Sequence, residues 1–297
     1  MPGRSVTARG LVRTSIVVGV LCSSLTASAS TPIIGGEVET GELATVLLAG
    51  YPSDQSELPF TCTAVVIAPR AILTAAHCVD HANFTFGVFF GHDASDFDTI
   101  EKWVAALAPA TATHIHPDYD RAAPFNADIA VVNLAADVPA TVTPLLFNRT
   151  PPVPAMVGLE VKIIGYGQTT PGQFNAIKFS ATTEIAALDP DDTILIGNET
   201  ARTCLGDSGG PVLLDNVVLG VDSYTDTGGC VDPAHFRRTD AYVAFIDQFA
   251  GTSPPPPPPP GDDDPLPTDT DDGGGCSTGG SPGLLLALGL LLLRRRG

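Results

Sequence analysis

The sequence predicts an all-β domain, a barrel or a sandwich, between Ile33 and about Thr252. Three observations carry this. Short apolar runs rich in β-branched residues recur at Thr63–Ile67, Val131–Leu134, Val161–Ile164 and Val212–Val221. Clusters of Gly, Pro, Asp and Asn separate them, the punctuation of turns between strands. Only one segment has good helical spacing, and it lies at the end of the domain. There Tyr242, Ile246 and Phe249, with Val243, share one helical face, and Asp240 stands near the start as a cap.

The flanks read differently. Residues 1–29 have the layout of an export signal: Arg4, Arg9 and Arg13, an apolar stretch from Ser15 to Leu25, then the small residues Ala27-Ser28-Ala29. After Thr252 the composition changes abruptly. Pro254 to Pro260 form a stiff polyproline spacer, and the acidic stretch Asp262 to Asp272 cannot build a core, so residues 253–275 are expected to be a stalk. Residues 276–297 comprise Cys276, the apolar run Leu284 to Leu293 and Arg294-Arg295-Arg296. A permanent span needs about 20 apolar residues, which this run lacks. Its layout resembles the myxosortase-type sorting tails of bacterial surface proteins, which implies a cut near Cys276 and a lipid anchor on that cysteine. The alternative is a short membrane-associated helix with basic residues on the cytoplasmic side.

Charge narrows the function. The 297 residues carry a formal charge of −18, and 27 acidic against 9 basic residues fall between Ile33 and Thr252. Such a surface repels a phosphate backbone, so nucleic acid is not an expected partner. Export places the cysteines in an oxidising compartment. Four of them, Cys62, Cys78, Cys204 and Cys230, lie in the globular region, and four cysteines allow three pairings.

The chemistry concentrates in three segments. In Cys204-Leu205-Gly206-Asp207-Ser208-Gly209-Gly210-Pro211, glycines flank a serine so that the backbone can turn tightly and aim the Gly206 and Ser208 amides at one oxygen. A serine hydroxyl needs a base to become a nucleophile. Of the six histidines, His77 has the strongest context, in Thr74-Ala75-Ala76-His77-Cys78 after a strand-like stretch. His114 and His116 form a His-x-His pair without a third ligand at metal spacing, so they read as loop residues and no metal is expected. Asp128 opens the apolar run after Asn126-Ala127, where a carboxylate is costly unless partnered; the imidazole of His77 would serve.

The chain order His77, Asp128, Ser208, inside TAAHC, NADIAVVNL and GDSGGP, resembles the chymotrypsin/trypsin family of serine proteases from Ile33 to about Phe249. The resemblance implies two packed antiparallel six-stranded β-barrels, about 33–140 and 141–246, with a C-terminal α-helix. It implies His77 as general base, Asp128 as its orienter, Ser208 as nucleophile, an oxyanion hole from the Gly206 and Ser208 amides, and the disulfides Cys62–Cys78 and Cys204–Cys230. Gly165-Tyr166-Gly167 is similar to the family's Gly-aromatic-Gly strand, and Ser223-Tyr224 to its substrate-pairing edge. No cofactor is implied. Ile33-Ile34-Gly35-Gly36 resembles the family's mature N-terminus, whose freed amine would pair with Asp207, leaving residues 30–32 as a short pro-segment. Pro32 precedes Ile33, so a trypsin-like activator would not cut there.

At the position where the family's pocket carries its selective residue stands Arg202, with Thr203, Ser223 and Thr225 nearby. Arg202 would either meet an acidic substrate side chain, be neutralised by Asp222 or Asp226, or turn outward. Strong cleavage after Arg or Lys is not expected. The combined expectation is a monomeric, secreted serine endopeptidase on a stalk at a bacterial cell surface or outer membrane. Its substrates would be proteins or peptides, and a sorting protease would process its tail. A catalytically silent homologue serving as a surface binding module is the alternative.

Overall fold

The apolar runs become strands in the computed structural model, which describes residues 33–122, 125–170, 173–174 and 176–251. The expected signal 1–29, pro-segment 30–32, stalk 253–275 and Cys276 with its tail lie outside the described residues. The chain divides into two units, Met1–Pro255 and Pro256–Gly297, and every described residue belongs to the first.

In chain order, β1 (Glu37–Val38) precedes β2 (Thr45–Pro52), β3 (Phe60–Ala68), β4 (Ala71–Thr74), β5 (Phe84–Phe89), helix α1 (Ile100–Ala106), β6 (Ala108–Ile115) and β7 (Ala130–Leu134). Strands β2 to β7 close into an antiparallel barrel in the order β2-β3-β4-β7-β6-β5. The second half contains β8 (Leu146–Phe147), β9 (Glu160–Gly165), the hairpin β10 (Gln168–Thr170) and β11 (Gln173–Phe174), β12 (Phe179–Leu188), β13 (Thr193–Ile196), β14 (Pro211–Leu214), β15 (Val217–Thr225), β16 (Ala234–Arg238) and α2 (Val243–Ala250). Six of these strands follow the order β12-β13-β16-β15-β14-β9, and pairing of β9 with β12 closes the second barrel. The predicted pair of six-stranded barrels with a C-terminal helix is therefore the observed architecture.

Alternation explains why β2 is buried along almost its whole length. Val46 and Leu48 point into the first barrel with Ile72, Val88 and Val132, whereas Leu47, Ala49 and Tyr51 pack outside against Trp103 and Tyr166. Between the barrels, Val65, Leu73 and Ile129 meet Ile164, Leu213 and Val221, and Phe245 and Ile246 of α2 seal the same cluster. This seam fixes one barrel against the other and places the loops of both around one cleft.

Four details differ from the sequence reading. The segment 33–38, grouped there with the first half, joins the second barrel: Glu37 and Val38 pair with Ser180 and Phe179. The run Val212–Val221 is two strands, split at Asp215-Asn216, whose φ values of 50° and 62° make the primed two-residue turn that suits twisted hairpins. Asp240 does not cap α2. A 3-10 turn, Thr239–Tyr242, precedes that helix, and the Asp240 carboxylate instead takes the Arg238 guanidinium at 3.0 and 3.1 Å. Finally, α1 is a second, seven-residue helix whose N-cap Thr99 accepts from the Lys102 amide. It is too short for its spacing to show, and the burial of Trp103 holds it.

Candidate active site

The base sits where β4 ends. Ala75 and Ala76 are fully buried, and their small side chains let the chain enter one 3-10 turn, Ala76–Cys78, tight against the barrel. The bridge Cys62–Cys78 ties that turn to β3. His77 is left half-exposed at the cleft, and both its backbone and its ring engage Asp128. The His77 amide donates to Oδ1 at 2.8 Å, and Nδ1 lies 2.8 Å from Oδ2. An ionised carboxylate only accepts, so Nδ1 carries the hydrogen and Nε2 is left free to take a proton.

Asp128 itself is completely buried. It sits before β7 in a turn where Phe125 and Ala127 both have positive φ, and its amide donates to the Phe125 carbonyl. The cost of burying this charge is offset by three donors: the two from His77 and the hydroxyl of Ser223 at 2.6 Å. Ser223 was read as a wall of the specificity pocket. It does line the cavity, but its hydroxyl is spent on Asp128.

Ser208 arrives from the other barrel, in the turn that feeds β14. Thr63 of β3 clamps this turn across the cleft: its amide donates to the Ser208 carbonyl at 2.9 Å and its hydroxyl to the Gly206 carbonyl at 3.0 Å. The following residue must be glycine. Gly209 has φ +78°, and a Cβ there would stand 2.1 Å from the Thr74 hydroxyl. Among the described residues, no acceptor takes a hydrogen bond from the Gly206 or Ser208 amides. His77 and Ser208 line one cavity of about 220 Å³ at the cleft.

Beneath Ser208, the fully buried carboxylate of Asp207 accepts from the amides of Gly167 and Cys204, each at 2.8 Å, and from that of Ile33. Burial pushes this carboxyl up to about 7, and the three amides offset only part of that rise. Gly167 is needed because a side chain would run into Asp207: its Cβ would lie 2.6 Å from the carboxylate carbon. Ile33, also fully buried, adds its side chain to the second barrel's core, and Ile34 and Arg202 form an isolated bridge. The structure thus brings Ile33 and Asp207 together.

Of the three courses open to Arg202, the structure takes the outward one. Thr203 and Thr225 line the cavity as expected, but Arg202 does not. Its guanidinium turns away to the carbonyls of Cys230, Asn198 and Glu199, at 2.7, 3.1 and 2.7 Å, and neither Asp222 nor Asp226 neutralises it. Three fixed carbonyl dipoles satisfy a cation that would otherwise be stranded in an apolar pocket. The second bridge is Cys204–Cys230, which joins the loops on either side of the cavity. The sulfurs of Cys62 and Cys78 lie near the His77 ring, but the bridge has consumed the thiolates that a metal would need. His114 stacks on Phe249 and bonds Asn133, while His116 packs edge-on against Tyr242 and Phe245, so the His-x-His pair belongs to the α2 contact.

Sequence reading missed four contributors. Thr63 sits unremarked in a strand, the supporting role of the Ser223 hydroxyl was not seen, and Phe125 approaches the His77 ring with centroids 5.6 Å apart. Asp222 lines the cavity. Only Asp222 left a sequence signal, as a carboxylate closing the buried run Val218 to Val221.

Comparison with known proteins points to one family. Residues 44–246 match the protein family described as Trypsin. Brachyurin of Leptuca pugilator is 26% identical over 210 residues, covering 66% of this chain and 90% of that protein. Ovochymase of Halocynthia roretzi is 26% identical over 216 residues; the match takes in 65% of this chain but spans only 13% of that much longer relative. Among solved structures, neuropsin, a serine protease expressed in the limbic system of mouse brain, superposes with a TM-score of 0.57 at 22% identity. That match covers 72% of this chain and 97% of neuropsin. At this identity the likeness to neuropsin establishes the fold.

Proposed function

Because the chain belongs to the trypsin family, matched over residues 44–246, we propose that it is a serine endopeptidase acting through Ser208, His77 and Asp128. One observation carries this reading. A buried carboxylate grips both the backbone and Nδ1 of His77, which lines one cavity with Ser208.

The steps follow from the donors in place. Nε2 of His77 takes the proton of the Ser208 hydroxyl as Oγ bonds to the substrate carbonyl carbon. The developing oxyanion receives the amides of Gly206 and Ser208, each such donor contributing roughly 3–4 kcal/mol. The imidazolium, steadied by Asp128, returns its proton to the leaving amine as the C–N bond breaks, and an acyl ester remains on Ser208. Water then gives a proton to His77, adds to the ester, and releases the acid while Oγ recovers its hydrogen. Cys62–Cys78 and Cys204–Cys230 hold the two halves of this apparatus.

Maturation belongs to the same proposal. Removal of residues 1–32 would turn the Ile33 amide into an ammonium beside Asp207, and that ion pair would hold the oxyanion loop. The enzyme would be exported and act on proteins or peptides, presented as a monomer on its stalk with Cys276 anchored after processing. The test is fluorophosphonate labelling of the chain beginning at Ile33. Labelling and peptide hydrolysis that both vanish in Ser208→Ala support the enzyme. A correctly processed sample that neither labels nor cleaves any peptide is a silent homologue instead.

A further inference from the structure

We propose that Asp222, on the wall of the cavity that holds Ser208, is the anionic group that selects a lysine or arginine side chain on the acyl side of the scissile bond. This rests on the protease reading above and names its substrate class. It reverses the expectation of no strong cleavage after Arg or Lys, which rested on the residue six before the nucleophile: that residue is Arg202, and its side chain has left the cavity.

Position comes first. Asp222 lines the cavity together with His77 and Ser208. Its backbone is locked to the nucleophile turn, accepting from the Gly209 amide at 2.7 Å and donating to the Gly210 carbonyl at 2.8 Å. It immediately precedes Ser223, whose hydroxyl supports Asp128. A group held this rigidly beside the reacting serine meets any side chain entering the cavity.

Charge comes second. The residue is only 5% exposed and follows Val218, Leu219, Gly220 and Val221, a run otherwise apolar. Its donors are the hydroxyl of Thr203, which itself lines the cavity, and the backbone amide of Ser223, both neutral. The charged groups facing it are Asp207 and Asp128, both acidic. Burial first, and then repulsion from Asp207, push its carboxyl well above the usual range. The neighbouring cation, Arg202, is occupied by three carbonyls, and the ammonium expected at Ile33 would lie on Asp207. A carboxylate kept in a cleft next to other carboxylates is expensive without a partner. A cationic substrate side chain supplies that partner, and binding it draws the proton off Asp222.

The test uses the chain processed to Ile33, with active sites counted by fluorophosphonate titration. A peptide library varied at the acyl-side residue should favour Lys and Arg over Ala, Val and Glu by about 100-fold in kcat/KM. In Asp222→Asn, hydrolysis after Lys and Arg should fall by about 100-fold, while hydrolysis after Ala falls far less. For the wild type, kcat/KM after Lys should rise to a higher pH than kcat/KM after Ala, because neutral Asp222 does not attract a cation; the asparagine variant should merge the two profiles. Competitive inhibition by butylguanidinium but not by butanol gives the same answer without a variant. A titratable enzyme that prefers aliphatic, aromatic or acidic residues, or whose basic preference survives in Asp222→Asn, overturns the inference and leaves the protease reading intact. A sample that takes no fluorophosphonate removes both.

Discussion

At single residues, the site is a set of carboxylates in three different circumstances. Asp128 has three donors, one of them an imidazole, Asp207 has amides alone, and Asp222 has one hydroxyl and one amide. Replacing Asp128 by Asn keeps the shape but lets the ring take the wrong tautomer, and a fall in kcat of about 10⁴-fold is expected. Ser223→Ala removes one hydrogen bond to a charge, worth about 1.5–3 kcal/mol, and should lower kcat by roughly 10- to 100-fold without changing which residues are preferred. Asp207 predicts a pH dependence of stability. Its folded pKa, raised by burial to about 7, lies well above the usual carboxylate range. The fold therefore holds this proton more tightly, an advantage fully present below the unfolded value and lost as pH rises through about 7. Asp222 acts in the same direction. Chemical denaturation of the unprocessed Ser208→Ala chain should show a loss on the order of 4 kcal/mol across that window. Asp207→Asn should flatten the slope, and so should a chain that begins at Ile33, where an ammonium would meet the ionised carboxylate. An unprocessed chain equally stable at both ends of the window contradicts this account of Asp207.

At the level of elements, the seam under α2 carries the alignment of the two barrels. Ile246 is fully buried against residues from both, and Arg149 holds the helix by a two-point contact to Asp247 at 2.6 and 2.8 Å. Ile246→Ala should cost about 2–5 kcal/mol in urea denaturation. Because α2 touches neither Ser208 nor His77, kcat at a temperature where the variant remains folded should change little; a large fall in kcat would mean that the seam sets the cleft geometry directly. What was legible in the chain follows the same division. Strands such as β3, β7 and β9 were readable because β-branched runs bounded by turn residues have few other uses, and α2 because one apolar face repeats over two turns. The triad segments were readable because a tight serine turn and a leading aspartate constrain their neighbours in sequence. Illegible were the features made by distant partners. The stop at Asp215-Asn216 was masked by apolar residues on both sides, and Asp240 was drawn from the helix end by Arg238. Arg202 could not be placed from sequence because its ligands are carbonyls, which every residue has. The segment 33–38 joined the second barrel through contacts with β12, which begins about 140 residues later.

Over the whole molecule, acidity becomes a kinetic property. The formal charge of −18 is concentrated in the folded domain, where acidic residues outnumber basic ones by 27 to 9. Many of these carboxylates stand at the surface, among them the exposed Asp54, Glu57 and Asp96. A surface of one sign raises the local concentration of oppositely charged ligands, and its reach is set by salt, about 10 Å at 0.1 M and about 3 Å at 1 M. The field and the carboxylate at Asp222 favour the same substrates, but they are separable, because a distant field is screened whereas a buried contact is not. Peptides with an identical cleavage site and added lysines or glutamates far from it isolate the first effect. For the lysine-rich peptide, kcat/KM should fall by roughly 10-fold between about 0.01 and 0.5 M NaCl; for the glutamate-rich one it should rise, and a neutral peptide should hardly respond. The ratio of lysine to alanine at the acyl-side residue should stay nearly constant across the same series, because the cavity excludes the ions that screen the surface. If that ratio collapsed with salt, selection would come from the acidic exterior and not from the cavity wall.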